Sequence, residues 1–242
     1  MENELQKSFV KQIPINFENA DIISYFNDFQ EFMMMYNCAI KEVKTKFEVL
    51  NDEFAVANKR NPIEMIKSRV KKPQSIFEKL KRKGFELNME SILNNINDVA
   101  GVRVICSFVD DIYEIASMLA KQDDITVLEV KDYIKNPKPN GYRSYHMIIE
   151  VPVFFSSRKM NMKVEVQLRT IAMDWWASSE HKIRYKKKLS ESVLQEIDQD
   201  LLECAGIGAM LDAKMEKIQE KTLAGAAPIQ TGTAPPSEEA GQ

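Results

Sequence analysis

The sequence predicts an α+β domain in which a mixed β-sheet is flanked by helices at both ends of the chain. Three observations predict it. Apolar residues recur at intervals of three and four near either end, the middle holds runs rich in Val, Ile and Met, and helical periods interrupt those runs. The chain of 242 residues suffices for one substantial core of catalytic size.

Over 21–59, Ile23, Phe26, Phe29, Phe32, Met33, Tyr36, Ile40, Val43, Phe47 and Leu50 form the buried stripe of a long helix, which Asn61-Pro62 ends. Pro73 suits a first helical position, Ile76, Phe77 and Leu80 give an apolar side, and Gly84 gives a stop, so 73–83 is a short basic helix. A helix over 89–96, a strand over 99–108, a helix over 109–122 and a strand over 125–130 follow. Strands over 142–154 and 160–168 flank Ser156-Ser157-Arg158-Lys159 and read as an antiparallel hairpin.

Helices over 170–188 and 190–223 complete the pattern. In the last one, Leu194, Leu201 and Met215 share one heptad position, and Ile197, Cys204, Leu211 and Ile218 share another. This seam, broken by Gly206 and Gly208, suits packing on its own domain or self-association. Beyond Leu223 the Ala-, Gly- and Pro-rich stretch has no core-forming pattern and is expected to be disordered. The expected division is an N-terminal helical region (1–42), a catalytic domain (43–188), a C-terminal helix suited to oligomerisation (189–223) and a tail (224–242).

Composition excludes several classes. No apolar run approaches the roughly 18 residues of a membrane span, and Met1-Glu-Asn-Glu-Leu-Gln-Lys carries no apolar signal region, so a cytoplasmic protein without a membrane partner is expected. Cys38, Cys106 and Cys204 are isolated, which argues against a disulfide scaffold or thiolate zinc site. His146 and His181 are the only histidines, too few for zinc without such thiolates. Neither GxxxxGK[ST] nor GxGxxG occurs, so side chains must hold any phosphate.

Net charge is −3, yet Lys67, Arg69, Lys71, Lys72, Lys79, Lys81, Arg82 and Lys83 face one acid, Glu78. That run is either a solvated helix face or a polyphosphate or RNA contact. In Asn136-Pro-Lys-Pro-Asn-Gly-Tyr-Arg-Ser-Tyr-His146, Asn140-Gly141 suits a tight turn, after which Tyr142 is expected to begin a strand. Lys138, Tyr142, Arg143 and His146 then make either a nucleotide contact or a solvated hairpin tip.

Asp98 precedes a strand and Glu165 lies within one, on the same face as Lys163 and Gln167. A carboxylate among valines is costly to bury unpaired, so a base or a divalent cation must meet each of them. Two carboxylates sharing one Mg²⁺ with phosphate oxygens are the equipment of phosphoryl and nucleotidyl transfer, although plain salt bridges use the same residues.

Five ordered motifs now carry a resemblance. Arg69-x-Lys71-x-x-x-Ser75-Ile76-x-x-Lys79, Asp98-x-x-Gly101-x-Arg103, Lys138-x-x-Gly141-Tyr142-Arg143-Ser144-Tyr145-His146, Glu165-Val-Gln167-x-Arg169-Thr170 and Met173-Asp-x-Trp176-Ala-x-x-Glu180-His181-Lys182 resemble the synthetase domain of the RelA/SpoT (p)ppGpp synthetases. The resemblance covers roughly 43–188 and implies a nucleotidyltransferase-like sheet. No His-Asp hydrolase motif occurs, so the chain resembles a stand-alone small alarmone synthetase.

The resemblance implies transfer of the β,γ-pyrophosphate of ATP to the 3′-hydroxyl of GDP or GTP, as in the stringent response. It gives Asp98 and Glu165 to Mg²⁺, with Gln167 beside them. Arg103 falls to the adenine, and Arg69, Lys71, Ser75, Lys79 and Arg82 fall to the ATP phosphates, on a basic helical stretch taken as 69–83. Tyr142 is given to guanine, and Lys131, Lys138, Arg143, His146 and Arg169 to the rest of the acceptor. Lys131 stands where some small synthetases carry arginine, and lysine offers a point charge in place of a bidentate fork. A homotetramer, and RNA or an alarmone as effector, are further implications. A catalytically silent RNA- or nucleotide-binding regulator of the same fold is the alternative.

Overall fold

The computed structural model describes residues 19–58, 60–184 and 190–225. Its first helix, α1 (Asn19–Asn58), buries Phe29, Phe32, Tyr36, Ala39, Val43, Phe47, Leu50 and Phe54, spaced by three and four as its sequence predicts. That stripe runs unbroken through residue 43, so the boundary expected after residue 42 falls inside one helix.

Strand β1 (Ile63–Val70) was not anticipated. It is an edge strand, half-exposed on both faces, and its Lys67, Ser68 and Arg69 lack the apolar alternation that marks a strand in sequence. Arg69 therefore lies on a strand and Lys71 in the link to α2 (Pro73–Lys83); only the latter is helical, not the whole of 69–83. Gly84, at φ 74°, closes α2 in the left-handed conformation that favours glycine. Phe77 of α2 stacks on Phe29 of α1 at 5.7 Å.

After α3 (Met89–Asn95) come β2 (Ala100–Cys106), α4 (Val109–Ala120), β3 (Thr126–Asp132), β4 (Tyr145–Phe154) and β5 (Lys159–Thr170). The sheet order is β1-β2-β5-β4-β3; β2 and β5 are parallel and the other pairs antiparallel, so the sheet is mixed as expected. One face, with Val102, Val104, Met147, Ile149, Val164, Val166 and Leu168, packs into the core with α1 and α4. Alternation sends the intervening residues to the opposite face, and these build the candidate site.

Tyr142 precedes β4 instead of beginning it. It closes a turn in which Gly141 N donates to Lys138 O (2.8 Å) and Lys138 N donates to Tyr142 O (3.1 Å). Those bonds leave 138–142 no ladder partner, so pairing starts at Tyr145.

Helix α5 (Ile171–Arg184) leads to α6 (Glu191–Gly225), which passes Gly206 and Gly208 without interruption. Leu201 is buried on Trp176, whose Nε1 donates to the Leu201 carbonyl at 2.7 Å, whereas Leu211, Met215 and Ile218 are exposed. The expected seam therefore divides, its first part packing within the chain and its second part facing outward. The tail expected to be disordered falls, beyond Gly225, outside the described residues.

Candidate active site

Across the polar face of the sheet, register aligns Arg69 with Gly101 and Lys67 with Arg103, Gly101 with Glu165 and Arg103 with Gln167, and Gln167 with His146, which faces Lys131. Lys67, Ser68, Arg69, Asp98, Gly101, Arg103, Glu165 and Gln167 line a cavity of about 240 Å³. Gly101 leaves its floor open, since alternation would send any side chain there toward the cavity.

Asp98 precedes β2 and meets two lysines: Lys71 Nζ donates to Oδ2 at 2.5 Å, and Lys79 Nζ stands 2.8 Å from Oδ1. Burial works to raise this carboxyl, but the two lysines outweigh it and hold it below the usual carboxylate range. Oδ1 is buried, with the Lys79 ammonium as its ion-pair partner. Glu165 accepts from Gln167 Nε2 at 2.9 Å and lies 3.7 Å from His146 Nδ1. Burial raises this carboxyl too; His146 and Gln167 prevail over burial and the Asp98 charge and hold it low.

The described residues contain no group of three or more His, Cys, Asp or Glu side chains able to cage a metal. Two ionised carboxylates on one cavity fit an ion whose other ligands are water and phosphate. The donor set is all oxygen, as Mg²⁺ prefers.

Asp174, in the first turn of α5, organises the cations. It accepts from Lys67 Nζ (2.9 Å), Arg103 Nη1 (3.1 Å) and Arg169 Nη1 (3.2 Å). Burial works against its ionisation, but Lys67, Arg103 and Arg169 together hold its carboxyl below the usual range. Arg169, only 4% exposed, also donates to Ser144 Oγ, Gln167 Oε1 and Tyr142 Oη.

Beside the cavity stands an aromatic cluster. Tyr133 meets Tyr142 at 6.0 Å and His146 at 5.2 Å, both edge-on, and Tyr142 meets Trp176 at 6.4 Å. Lys138 Nζ lies 4.7 Å from the Tyr133 ring centre and 4.8 Å from that of Tyr142. Glu165–His146 and Gln167–Arg169–Tyr142 connect this cluster to the cavity.

Of the residues expected from sequence, Arg69, Asp98, Arg103, Glu165 and Gln167 line the cavity, and Lys71 and Lys79 reach Asp98. Ser75 lies in the first turn of α2, and Arg82 in its last turn, exposed and off the cavity lining. Tyr142, His146, Lys138 and Arg169 form the aromatic side, and Lys131 pairs with Glu129 at its rim (2.8 Å). Arg143 points away, to Asp212 of α6. The sequence placed Lys67 only in the basic run and assigned no role to Tyr133, Asp174, Trp176 or Asp212; an acid beside two tryptophans on an otherwise apolar turn was the available signal for Asp174.

A cavity lined by two carboxylates and several cations, beside a cluster of edge-on aromatics, suits a protein that handles phosphate-bearing nucleotides. The family described as "Region found in RelA / SpoT proteins" matches residues 68–190. The chain is 44% identical over 201 residues to the GTP pyrophosphokinase YwaC of Bacillus subtilis (strain 168), spanning 83% of this chain and 95% of that one. The structure is similar to small alarmone synthetase 2 from Bacillus subtilis (TM-score 0.71, 44% identity, 80% of this chain and 99% of that one). It is also similar to small alarmone synthetase 1 from that organism bound to its product pppGpp (TM-score 0.73, 33% identity, 81% and 99%). The chain belongs to the RelA/SpoT family.

Proposed function

We propose that this chain is a GTP pyrophosphokinase that transfers the β,γ-pyrophosphate of ATP to the 3′-hydroxyl of GDP or GTP, giving ppGpp or pppGpp and AMP. The observation that carries this reading is that Asp98 and Glu165 line one cavity with Arg69, Arg103 and Lys67, next to the Tyr142 cluster. A binder without catalysis has no use for the paired carboxylates, so the silent-regulator alternative is not favoured.

The donor occupies the cavity. Arg103 offers its planar guanidinium to adenine, and Arg69, Lys71 and Lys79, with Ser75 and Arg82 nearby, take up the phosphate charge; two nucleotides bring about six to eight negative charges. Asp98 and Glu165 would hold Mg²⁺, which when bound neutralises phosphate charge and polarises the phosphorus under attack. Guanine stacks on Tyr142, and Lys131, Lys138 and His146 meet the acceptor phosphates. Lys138, exposed over the two tyrosine rings, is free to swing toward an entering phosphate.

The 3′-oxygen attacks the β-phosphorus while the bond from that phosphorus to the α,β-bridging oxygen breaks, and AMP leaves. Glu165, ionised at neutral pH, accepts the 3′-hydroxyl proton; Gln167 fixes the carboxylate through Oε2 and receives Arg169 on its own Oε1. The catalytic unit, 43–188, is completed by the rest of α1 and by α6. The exposed Leu211, Met215 and Ile218 support a homo-oligomer, for which a tetramer is the family expectation. Among the described residues no helix is long and apolar enough to cross a membrane, which suits a cytoplasmic site of action. Incubation with ATP, GDP and Mg²⁺ followed by chromatography tests the reading: it requires a guanosine product bearing a 3′-pyrophosphate, and its absence overturns it.

A further inference from the structure

Arg143 sits between Tyr142 and Ser144 in the acceptor motif, yet its Nη1 donates to Asp212 Oδ2 on α6 at 3.0 Å, with both side chains largely shielded from water. A second contact seats the same loop on the same helix, and a ring packed on Tyr142 is tied to that helix from α5. Gly141 holds φ at 86°, and a Cβ built on it would stand 2.5 Å from Ala205 Cβ and 3.3 Å from Leu202 Cδ1, so the turn lies against α6 with no room for a side chain. Trp176, which meets the Tyr142 ring, is pinned to the Leu201 carbonyl.

Leu201, Ala205, Gly208 and Asp212 recur at four, three and four, so they form one stripe of α6. The stripe's small residues permit the close approach, and its acid meets the loop's arginine. That loop carries Lys138 and Tyr142 in a single hydrogen-bonded turn.

We propose that Arg143 and Asp212 are a positioning pair that seats the acceptor loop on α6, so that Arg143 serves guanosine-nucleotide binding through the loop's geometry without touching the acceptor. The proposal rests on the pyrophosphokinase reading and deepens its acceptor side. Because the donor cavity is built on β1, β2 and β5, the pair acts on the acceptor and leaves ATP alone.

The test is steady-state kinetics of the full chain with Mg²⁺, ATP and GDP for Arg143→Ala, Asp212→Asn and the double variant. Each single change should raise KM for GDP about five- to twentyfold with KM for ATP within about twofold, and the double variant should be no worse than either single one. Asp212→Asn keeps the side chain's shape, so it reports the pairing even where Arg143→Ala lowers stability. The proposal is overturned if Asp212→Asn leaves KM for GDP unchanged while Arg143→Ala raises it, since arginine would then be a direct ligand. Additive effects, or equal rises in both KM values, overturn it too. If the unaltered chain formed no 3′-pyrophosphorylated product, the pyrophosphokinase reading would fail. The pairing would still be read from melting temperatures, where the double change should cost no more than either single one.

Discussion

The Tyr142 hydroxyl accepts a hydrogen bond from Arg169 Nη2 at 2.6 Å and stands 2.8 Å from His146 Nε2. The hydroxyl thus joins the Arg169 guanidinium to the His146 ring, whose Nδ1 stands 3.7 Å from Glu165 Oε1. The ring proposed to stack on guanine is therefore linked to the carboxylate proposed to meet the metal and the 3′-hydroxyl.

Removing that hydroxyl should not be silent. Tyr142→Phe keeps the stacking surface but removes the hydrogen-bond partner of His146 Nε2 and of Arg169 Nη2, at a cost of about 1 to 3 kcal/mol for a group left unsatisfied. Turnover with GDP should fall roughly five- to a hundredfold. Tyr142→Ala should lose stacking as well and raise KM for GDP further, while KM for ATP holds. Unchanged kinetics of Tyr142→Phe would break the proposed link from ring to carboxylate.

Asp98→Asn and Glu165→Gln change charge and little else, so each should abolish synthesis with the circular dichroism spectrum preserved. Either variant retaining more than about a tenth of the parent rate would speak against a metal pair.

Asp174→Ala withdraws the partner of the buried Arg169 and frees Lys67 and Arg103. It should cost on the order of 3 kcal/mol of stability and raise KM for ATP. The folded-state carboxyl lies below its unfolded value, so its stabilisation is present above about pH 4 and is lost as pH falls through the folded-state value. The melting-temperature gap between parent and Asp174→Asn should thus be widest near neutrality and shrink in acid. A gap independent of pH would refute the ionised role.

Leu211→Lys with Ile218→Lys places charges on the exposed stripe of α6 and should yield a smaller, still folded species by light scattering. Leu201→Lys tests something else, because Leu201 is buried against Trp176 and its substitution should unseat α6 from α5. An unchanged mass for the Leu211 and Ile218 pair would place any self-association elsewhere.

Most of the fold was legible because burial imposes a period: α1 repeats at three and four, and β4 and β5 are runs that only a sheet core could hide. β1 was not legible, because an edge strand carrying site cations has no apolar face to display. Motif order pointed to Asp98, Glu165 and Arg103, which line the candidate cavity, and to Tyr142 beside it. The destination of Arg143 could not, since Asp212 lies 69 residues further along and local spacing does not show a long-range ion pair. Asp174 was hidden largely for the same reason: Lys67 and Arg103, two of its three partners, lie on β1 and β2, far from it in sequence.

The most direct measurement follows ATP labelled with ³²P at the β-phosphorus, incubated with the chain, GDP and Mg²⁺. Attack at the β-phosphorus predicts that the label passes to a 3′-pyrophosphorylated guanosine nucleotide while unlabelled AMP accumulates in equal amount. Label recovered in ADP or in free pyrophosphate, with no labelled guanosine product, would contradict it.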